Sequence, residues 1–268
     1  MSALSDALEV SLLNHLLRAT PYTPPATLYV GLFTTDPGES GVTSEVSGGG
    51  YARVAVAQNA TNFPQCSLIA APIKTNGVAI TFPTATAAWG TITHWAIYDS
   101  ATSGTNVMLV HGALASSRYV SPGDTPKIGV GAASITMTNA NSGGLTDFAK
   151  RKLLDLVFGN TSYDVPAAVH MAVGSALTGE SLTAWTDSGY SRKIASFGAP
   201  SGGATANTAV LTLNDSVVSV TGPLTHFGIY DDALLGNALV LGALGTAKSV
   251  PIGDSAKFAV GSIVVTFN

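Results

Sequence analysis

Charge is what this sequence has least of. Asp, Glu, Lys and Arg make up 10% of its 268 residues, against about 25% in an ordinary soluble domain. A freely solvated surface normally keeps itself patch-free with charge. The shortage, beside 46% apolar residues, points to a surface partly covered by neighbouring subunits in preference to one made only of Ser, Thr, Gly and Asn. Cysteine is nearly absent: Cys66 stands alone, which excludes an intrachain disulfide and a Cys-based metal site. Positive charge is scarce too. The net charge is -4, and the single basic run, Lys150-Arg151-Lys152, reads as the solvated face of a helix. Phosphate affinity rests on clustered Lys and Arg, so no nucleic-acid partner is expected. No run of about 18 apolar residues occurs, and Met1 to Asp6 lacks the basic start and apolar core of a signal peptide. The expectation is a soluble chain with no membrane partner, not exported by the usual route.

What the sequence does contain is a repetition. His94-Trp95-Ala96-Ile97-Tyr98-Asp99 returns as His226-Phe227-Gly228-Ile229-Tyr230-Asp231. The surroundings repeat as well. Leu4, Leu8, Leu12 and Leu16, with Leu13, line one side of an amphipathic helix that Ser2 or Ser5 can cap and Pro21 ends. Leu145, Phe148, Leu153, Leu156 and Val157 form the second such stripe, with Thr146 as cap and Gly159-Asn160 as stop. A turn follows each helix, Tyr22 to Ala26 and Tyr163 to Ala167. Then comes a strand of period two: Leu28, Val30 and Leu32 in one copy, Val169, Met171 and Val173 in the other.

Gly50-Tyr51-Ala52-Arg53 and Gly189-Tyr190-Ser191-Arg192 each open a second strand, and Val78-Ile80-Phe82 matches Ala209-Leu211-Leu213 as a third. Between these two the first copy carries roughly eight extra residues, including Pro64, Cys66 and Pro72, a length change that loops absorb cheaply. The repeated motif is the fourth strand, with Trp95 and Ile97 on one face and His94 and Tyr98 on the other. A hairpin and two more strands close each copy. One helix and about seven short strands per copy, spaced by Gly, Pro, Asn and Asp turns, predict a mainly β chain. We expect two tandem antiparallel β-sandwich, jelly-roll-like domains, each preceded by one amphipathic helix, at 1–138 and 144–268, with 139–143 as linker.

Chemistry is harder to find. His94 and His226 are matched, but a metal site needs three or four converging ligands and strand geometry turns Asp99 away from His94. A histidine bonded to a neighbouring strand is the preferred reading. Gly242 to Ser249 ends in Lys248-Ser249 as a Walker loop does, yet Ala247 replaces the glycine before the lysine and no helix follows. Gly129-Val130-Gly131 fails as a dinucleotide signature for the same reason. There is no Gly-x-Ser-x-Gly elbow and no His-Glu-x-x-His. Asp36 with Glu39, and Asp231-Asp232, lie in loops where carboxylates are usually solvated. We nominate no catalytic, cofactor-binding or metal-binding residue. Of the three tryptophans, Trp95 is exchanged for Phe227 and reads as core, whereas Trp185 stands in a loop. Trp185, Cys66, Asp36 and Glu39 are the candidate ligand or partner contacts.

A longer ordered string carries a family resemblance. It runs Leu-Tyr-Val-Gly-Leu-Phe-Thr-Thr-Asp-Pro (28 to 37), Glu-Val-Ser-Gly-Gly-Gly-Tyr-Ala-Arg (45 to 53), Ile-Thr-Phe-Pro-Thr-Ala-Thr (80 to 86), Trp-Gly-Thr-Ile-Thr-His-Trp-Ala-Ile-Tyr-Asp (89 to 99), Gly-Ala-Leu (112 to 114) and Gly-Asp (123 to 124). This resembles a family of small tailed-phage virion proteins, often labelled tail-fibre proteins. The second copy keeps the Tyr-x-x-Pro-Ala turn, the Gly-Tyr-x-Arg segment, the His-x-x-Ile-Tyr-Asp strand and the Gly-Asp turn. The resemblance implies a non-enzymatic bacteriophage virion structural protein, assembled in the host cytoplasm and present in multiple copies. Its implied place is the tail, at a fibre or connector-adjacent position, beside other tail, connector or major capsid proteins. Capsid decoration on the head and host-glycan binding at the tail tip are the alternatives.

Overall fold

The computed structural model describes residues 2–39, 41, 44–102, 107–137, 144–185, 190–215 and 223–267. The expected linker at 139–143 lies outside the described residues, as do Gly189, residues 103–106 of the first hairpin turn and 220–222 before the second copy of the motif. The described chain is mainly β, with two helices and antiparallel pairing throughout. It divides into two compact units. Unit 1 comprises Met1–Glu9, Thr23–Met137 and Arg151–Tyr163, and unit 2 comprises Val10–Tyr22, Thr138–Lys150 and Asp164–Asn268.

The first repeat supplies β1 (Ser2–Leu4), α1 (Asp6–Leu17), β2 (Thr27–Phe33), β3 (Val54–Ala57), β4 (Ile73–Thr75), β5 (Ile80–Thr81), β6 (Gly90–Tyr98), β7 (Met108–Val120), β8 (Lys127–Ile128) and β9 (Ser134–Thr136). In unit 1 the main sheet has the order β1-β7-β6-β2-β3, and two short ladders, β4 with β9 and β5 with β8, make up the remaining strands. The motif strand β6 is central. It pairs with β2 through Leu32 and Trp95, and with β7 through Trp95 and Gly112.

The second repeat supplies β10 (Gly144–Leu145), α2 (Asp147–Gly159), β11 (Val169–Thr178), β12 (Ser181–Ala184), β13 (Lys193–Ala195), β14 (Ala204–Ala206), β15 (Leu211–Asp215), β16 (Leu224–Tyr230), β17 (Ala238–Lys248), β18 (Ser255–Phe258) and β19 (Val264–Thr266). In unit 2 the sheet runs β10-β17-β16-β11-β12, with β13 also on β11, and the ladders are β14 with β19 and β15 with β18. The strands beyond the expected seven per repeat are β1 and β4 in one copy and β10, β12 and β14 in the other. Each is only two to four residues long, too short for a legible alternation.

The helix ends follow from capping chemistry. Ser5 Oγ accepts the Leu8 N–H at 3.3 Å, and Thr146 Oγ1 accepts that of Ala149 at 3.2 Å. The same two hydroxyls donate outward, Ser5 to the Met108 carbonyl and Thr146 to that of Ala238 at 2.6 Å. One residue therefore both starts the helix and fastens it to its own repeat's long hairpin strand. Both helices stop at a left-handed residue, Ala19 (φ 50°) and Asn160 (φ 52°). Leu8, Leu12, Leu13, Leu16 and Leu17 are buried, but so are Glu9 and His15, and in α2 Lys150 is buried beside Leu153, Leu154, Val157 and Phe158. The helices thus bury polar groups as well as their apolar stripe. Lys150, expected on a solvated face, is inside: its Nζ lies 3.7 Å from the Asp147 carboxylate one turn earlier.

The repeats and the compact units are not coextensive. Each helix begins in the unit built from its own repeat's strands, and its second half belongs to the other unit.

Candidate functional site

The motif strand carries different chemistry on its two sides. Trp95 and Ile97 are core residues, as their alternation predicts. Tyr98, on the face of His94, is buried too, because Gly41 and Arg53 lie against it. Its hydroxyl donates to the Gly41 carbonyl at 2.7 Å, and the Arg53 guanidinium lies 3.6 Å above its ring. Gly50-Tyr51-Ala52-Arg53 therefore precedes a strand, which begins only at Val54, and its side chains do something else. Tyr51 Oη accepts the Leu32 N–H at 2.9 Å and donates to Glu45 at 3.0 Å. Arg53 grips both oxygens of Glu45 at 2.7 Å and donates to the Ser100 carbonyl at 2.9 Å. Such fork-on-carboxylate pairing is the strong kind. Burial, helped by the Glu45 charge, raises the Tyr51 hydroxyl well above its ordinary range. Gly31 lies under this group: a Cβ there would come within 2.9 Å of Glu45 Oε1 and 3.1 Å of the Tyr51 hydroxyl. An open recess of about 510 Å³ is lined by Ser44, Glu45, Tyr51, Arg53 and Ala101.

Farther along the same sheet face stand His94 and His111, near neighbours on β6 and β7. The loop after β2 reaches over them. Asp36 Oδ1 lies 3.2 Å from His111 Nδ1, Asp36 Oδ2 lies 3.9 Å from His94 Nε2, and Glu39 Oε1 lies 3.7 Å from His111 Nε2. The loop turns at Gly38 (φ +60°), whose N–H donates to Asp36 at 3.0 Å. That bond, ahead of the two histidines, holds the Asp36 carboxyl below its ordinary value. Glu9 adds a third acid. Burial, then Glu39 and Asp6, push it up to about 7. Among the described residues no group of three or more His, Cys, Asp or Glu is placed to hold a metal ion. The arrangement can clamp a loop and take up a proton near neutrality.

Each histidine of the motif bonds the threonine that precedes it on its own strand, in place of the expected bond to a neighbouring strand. Thr93 Oγ1 donates to the Thr34 carbonyl at 2.9 Å and so accepts from His94 Nδ1 at 2.8 Å. Thr225 repeats this with the Ser175 carbonyl at 2.6 Å and His226 at 2.7 Å. Tyr190 accepts the Val173 N–H at 2.9 Å as Tyr51 does that of Leu32, and Arg192 lies 3.6 Å above the Tyr230 ring and donates to the Asp232 carbonyl at 2.9 Å.

Of the residues singled out in the sequence, Asp36 and Glu39 come together, on either side of His111. Trp185 is buried, its ring 5.2 Å from that of Tyr190. Cys66 is buried elsewhere in unit 1, its N–H donating to Asp155 Oδ1 at 2.9 Å. Burial, with the Asp155 carboxylate beside it, pushes the Cys66 thiol up to about 12, which leaves it protonated and unreactive at neutral pH. Sequence reasoning missed Glu45, Arg53, Glu9 and His111. The repeated Gly-Tyr-x-Arg was the available signal for Arg53; Glu9 and His111 are set among apolar residues and gave none.

The most exposed of the large apolar side chains stand as two adjacent pairs, at two tips. Leu68 and Ile69, in the first repeat's insertion, are 85% and 97% exposed, and Leu234 and Leu235, in the hairpin after β16, 78% and 96%. Among the described residues no helix is long and apolar enough to cross a membrane.

Comparison with curated proteins finds no match. Comparison with protein families finds one family twice in succession, over residues 3–136 and again over 144–266. With both repeats matched almost from end to end, the chain belongs to the family of the podophage GP4 fiber I protein gp80.

Proposed function

We propose that this chain is a non-enzymatic, tail-associated structural part of the virion, at a fibre or connector-adjacent position, which joins other virion proteins through apolar, low-charge tips. The observation that carries this reading is the pair of exposed tips, Leu68-Ile69 and Leu234-Leu235, on a chain with 10% charged residues in a fibre family. Contiguous exposed apolar surface is where other proteins dock, and each pair supplies two adjacent side chains of that kind. The clamps around Glu45 and His111 serve to fix loops, and no nucleophile with an activating base stands among them. Several copies per particle are expected, since fibre parts assemble as repeated subunits. A sugar-stacking face does not form around Trp185, whose indole is packed inside.

Electron microscopy of virions carrying the labelled protein tests the placement. Label at the tail is the expected result, and label spread over the capsid lattice overturns it in favour of head decoration. Leu68→Ser/Ile69→Ser is expected to fold normally yet enter particles at a reduced level. Full incorporation of this variant together with Leu234→Ser/Leu235→Ser would remove the tips from the argument.

A further inference from the structure

The second half of α2 lies in unit 1, and it is held there by polar contacts, one of which, to the Asp155 carboxylate, the first repeat's own helix could not make. Lys74, on β4, is fully buried and its Nζ meets Asp155 Oδ1 at 2.5 Å. Gln58, also buried, donates to the carbonyls of Leu156 and Val157 at 2.7 and 2.8 Å, satisfying two of the helix's last acceptors. Gly159 closes against Lys74 so tightly that a Cβ would lie 2.7 Å from its Nζ.

The two helices can be aligned residue for residue, because their caps (Ser5, Thr146) and their left-handed stops (Ala19, Asn160) coincide. On that register Asn14 stands where α2 has Asp155, and Arg18 where it has Gly159. The first repeat's helix placed in unit 1 would withdraw the carboxylate from a buried ammonium and bring a second cation against it. A buried charge that loses its partner is among the costliest defects a fold can carry.

Unit 2 is built the opposite way. Asn76 and Asn207 make the same three bonds, to Val78, Gly129 and Ala133 in one repeat and to Ala209, Ala259 and Ile263 in the other. This places Thr205 where unit 1 has Lys74. Here the helix donates: Arg18 Nε gives its hydrogen to the Phe197 carbonyl at 3.2 Å. Asp155 in that setting would face no cation, and Gly159 would donate nothing.

We propose that the two repeats are keyed to each other: unit 1 accepts the second repeat's helix and rejects the first's, so that a first repeat never completes itself, or another first repeat, with α1. The attraction is the Lys74–Asp155 pair and the rejection is Asn14 with Arg18, a division of labour typical of specific pairing.

The full chain, carrying a protease recognition sequence within 138–143, provides the test. After cleavage and prolonged incubation, native mass spectrometry of the wild-type protein is expected to show the two pieces in equal number and no assembly of N-terminal pieces alone. Asp155→Asn is expected to weaken the association of the cut pieces by about a hundredfold or more. Adding Lys74→Met, which removes the stranded charge, is expected to recover most of that loss and to let N-terminal pieces pair with themselves. Thermal unfolding of each uncut variant separates loss of association from failure to fold. The proposal is overturned if wild-type N-terminal pieces pair with themselves, if Asp155→Asn leaves the cut pieces as tightly bound as before, or if Lys74→Met fails to restore association to the Asp155→Asn protein.

Discussion

Unit 1 and unit 2 solve the same packing problem with different amounts of charge. Both place an arginine over the motif tyrosine, a tyrosine hydroxyl on the first central strand and a threonine beside the motif histidine. In unit 1 these groups are joined by acids: Glu45 on Arg53, Asp36 and Glu39 around His111, Glu9 on the helix. In unit 2 the cross-strand register puts Leu241 where His111 stands and exchanges the Gly31–Ala96 pair for Ala172–Gly228. The hairpin β11–β12 occupies the sequence position of the acidic loop, and Lys150 takes the helix position of Glu9. The scaffold thus tolerates a filling rich in acids or one with few, and the filling is what distinguishes the repeats.

The largest test of this contrast is at the arginines. Arg53→Ala strands a partly buried carboxylate and is expected to cost about 3 kcal/mol by denaturant titration. Arg192→Ala loses a ring contact and a neutral hydrogen bond and is expected to cost about 1 kcal/mol. Equal losses would erase the distinction. Next comes Gly31→Ala, which drives a methyl against Glu45 and Tyr51 and is expected to cost about 2 kcal/mol by the same measurement. Glu45→Gln alone would leave that methyl the same obstacle.

A smaller effect is expected at Glu9. The folded protein keeps a proton on Glu9 that the unfolded chain releases above 4.5, so this residue makes stability fall as pH rises from 4.5 to about 7. Glu9→Gln should flatten that fall, with a gain on the order of 1 kcal/mol, or about 2–4 °C in melting temperature, at pH 8. Parallel melting profiles for the two proteins between pH 4 and 8 would remove Glu9 from the account. The smallest effect is expected at the tips: Leu68→Ser/Ile69→Ser should change folding stability by less than about 0.5 kcal/mol, since both side chains already face water.

Much of this architecture was legible in the residues. Leu12, Leu13 and Leu16, the alternation of Leu28 to Leu32, and the caps at Ser5 and Thr146 announce themselves through period and position. Placement over long distance was not legible. Nothing near Lys74 in the sequence indicates Asp155, which belongs to the other repeat, and the burial of Lys150 runs against the usual solvation of a basic run. Asp36 and Glu39 looked like ordinary loop acids because the partner that gives them a role, His111, is supplied by a strand some seventy residues on. Helices and strands are local facts, whereas ion pairs are facts of topology.

The Ser5 cap bears on how the protein is made. Its hydroxyl fastens α1 to the Met108 carbonyl, and the strand before it pairs Leu4 with Val110, so the start of the chain has nothing to dock on until β7 has been synthesised. Lys74 must wait longer still, for Asp155. At synthesis rates of about 5–20 residues per second, the nascent first repeat spends several seconds outside the ribosome with its lysine without a counterion. Only the emergence of α2 ends that interval, which makes the second repeat the last structural component of the first.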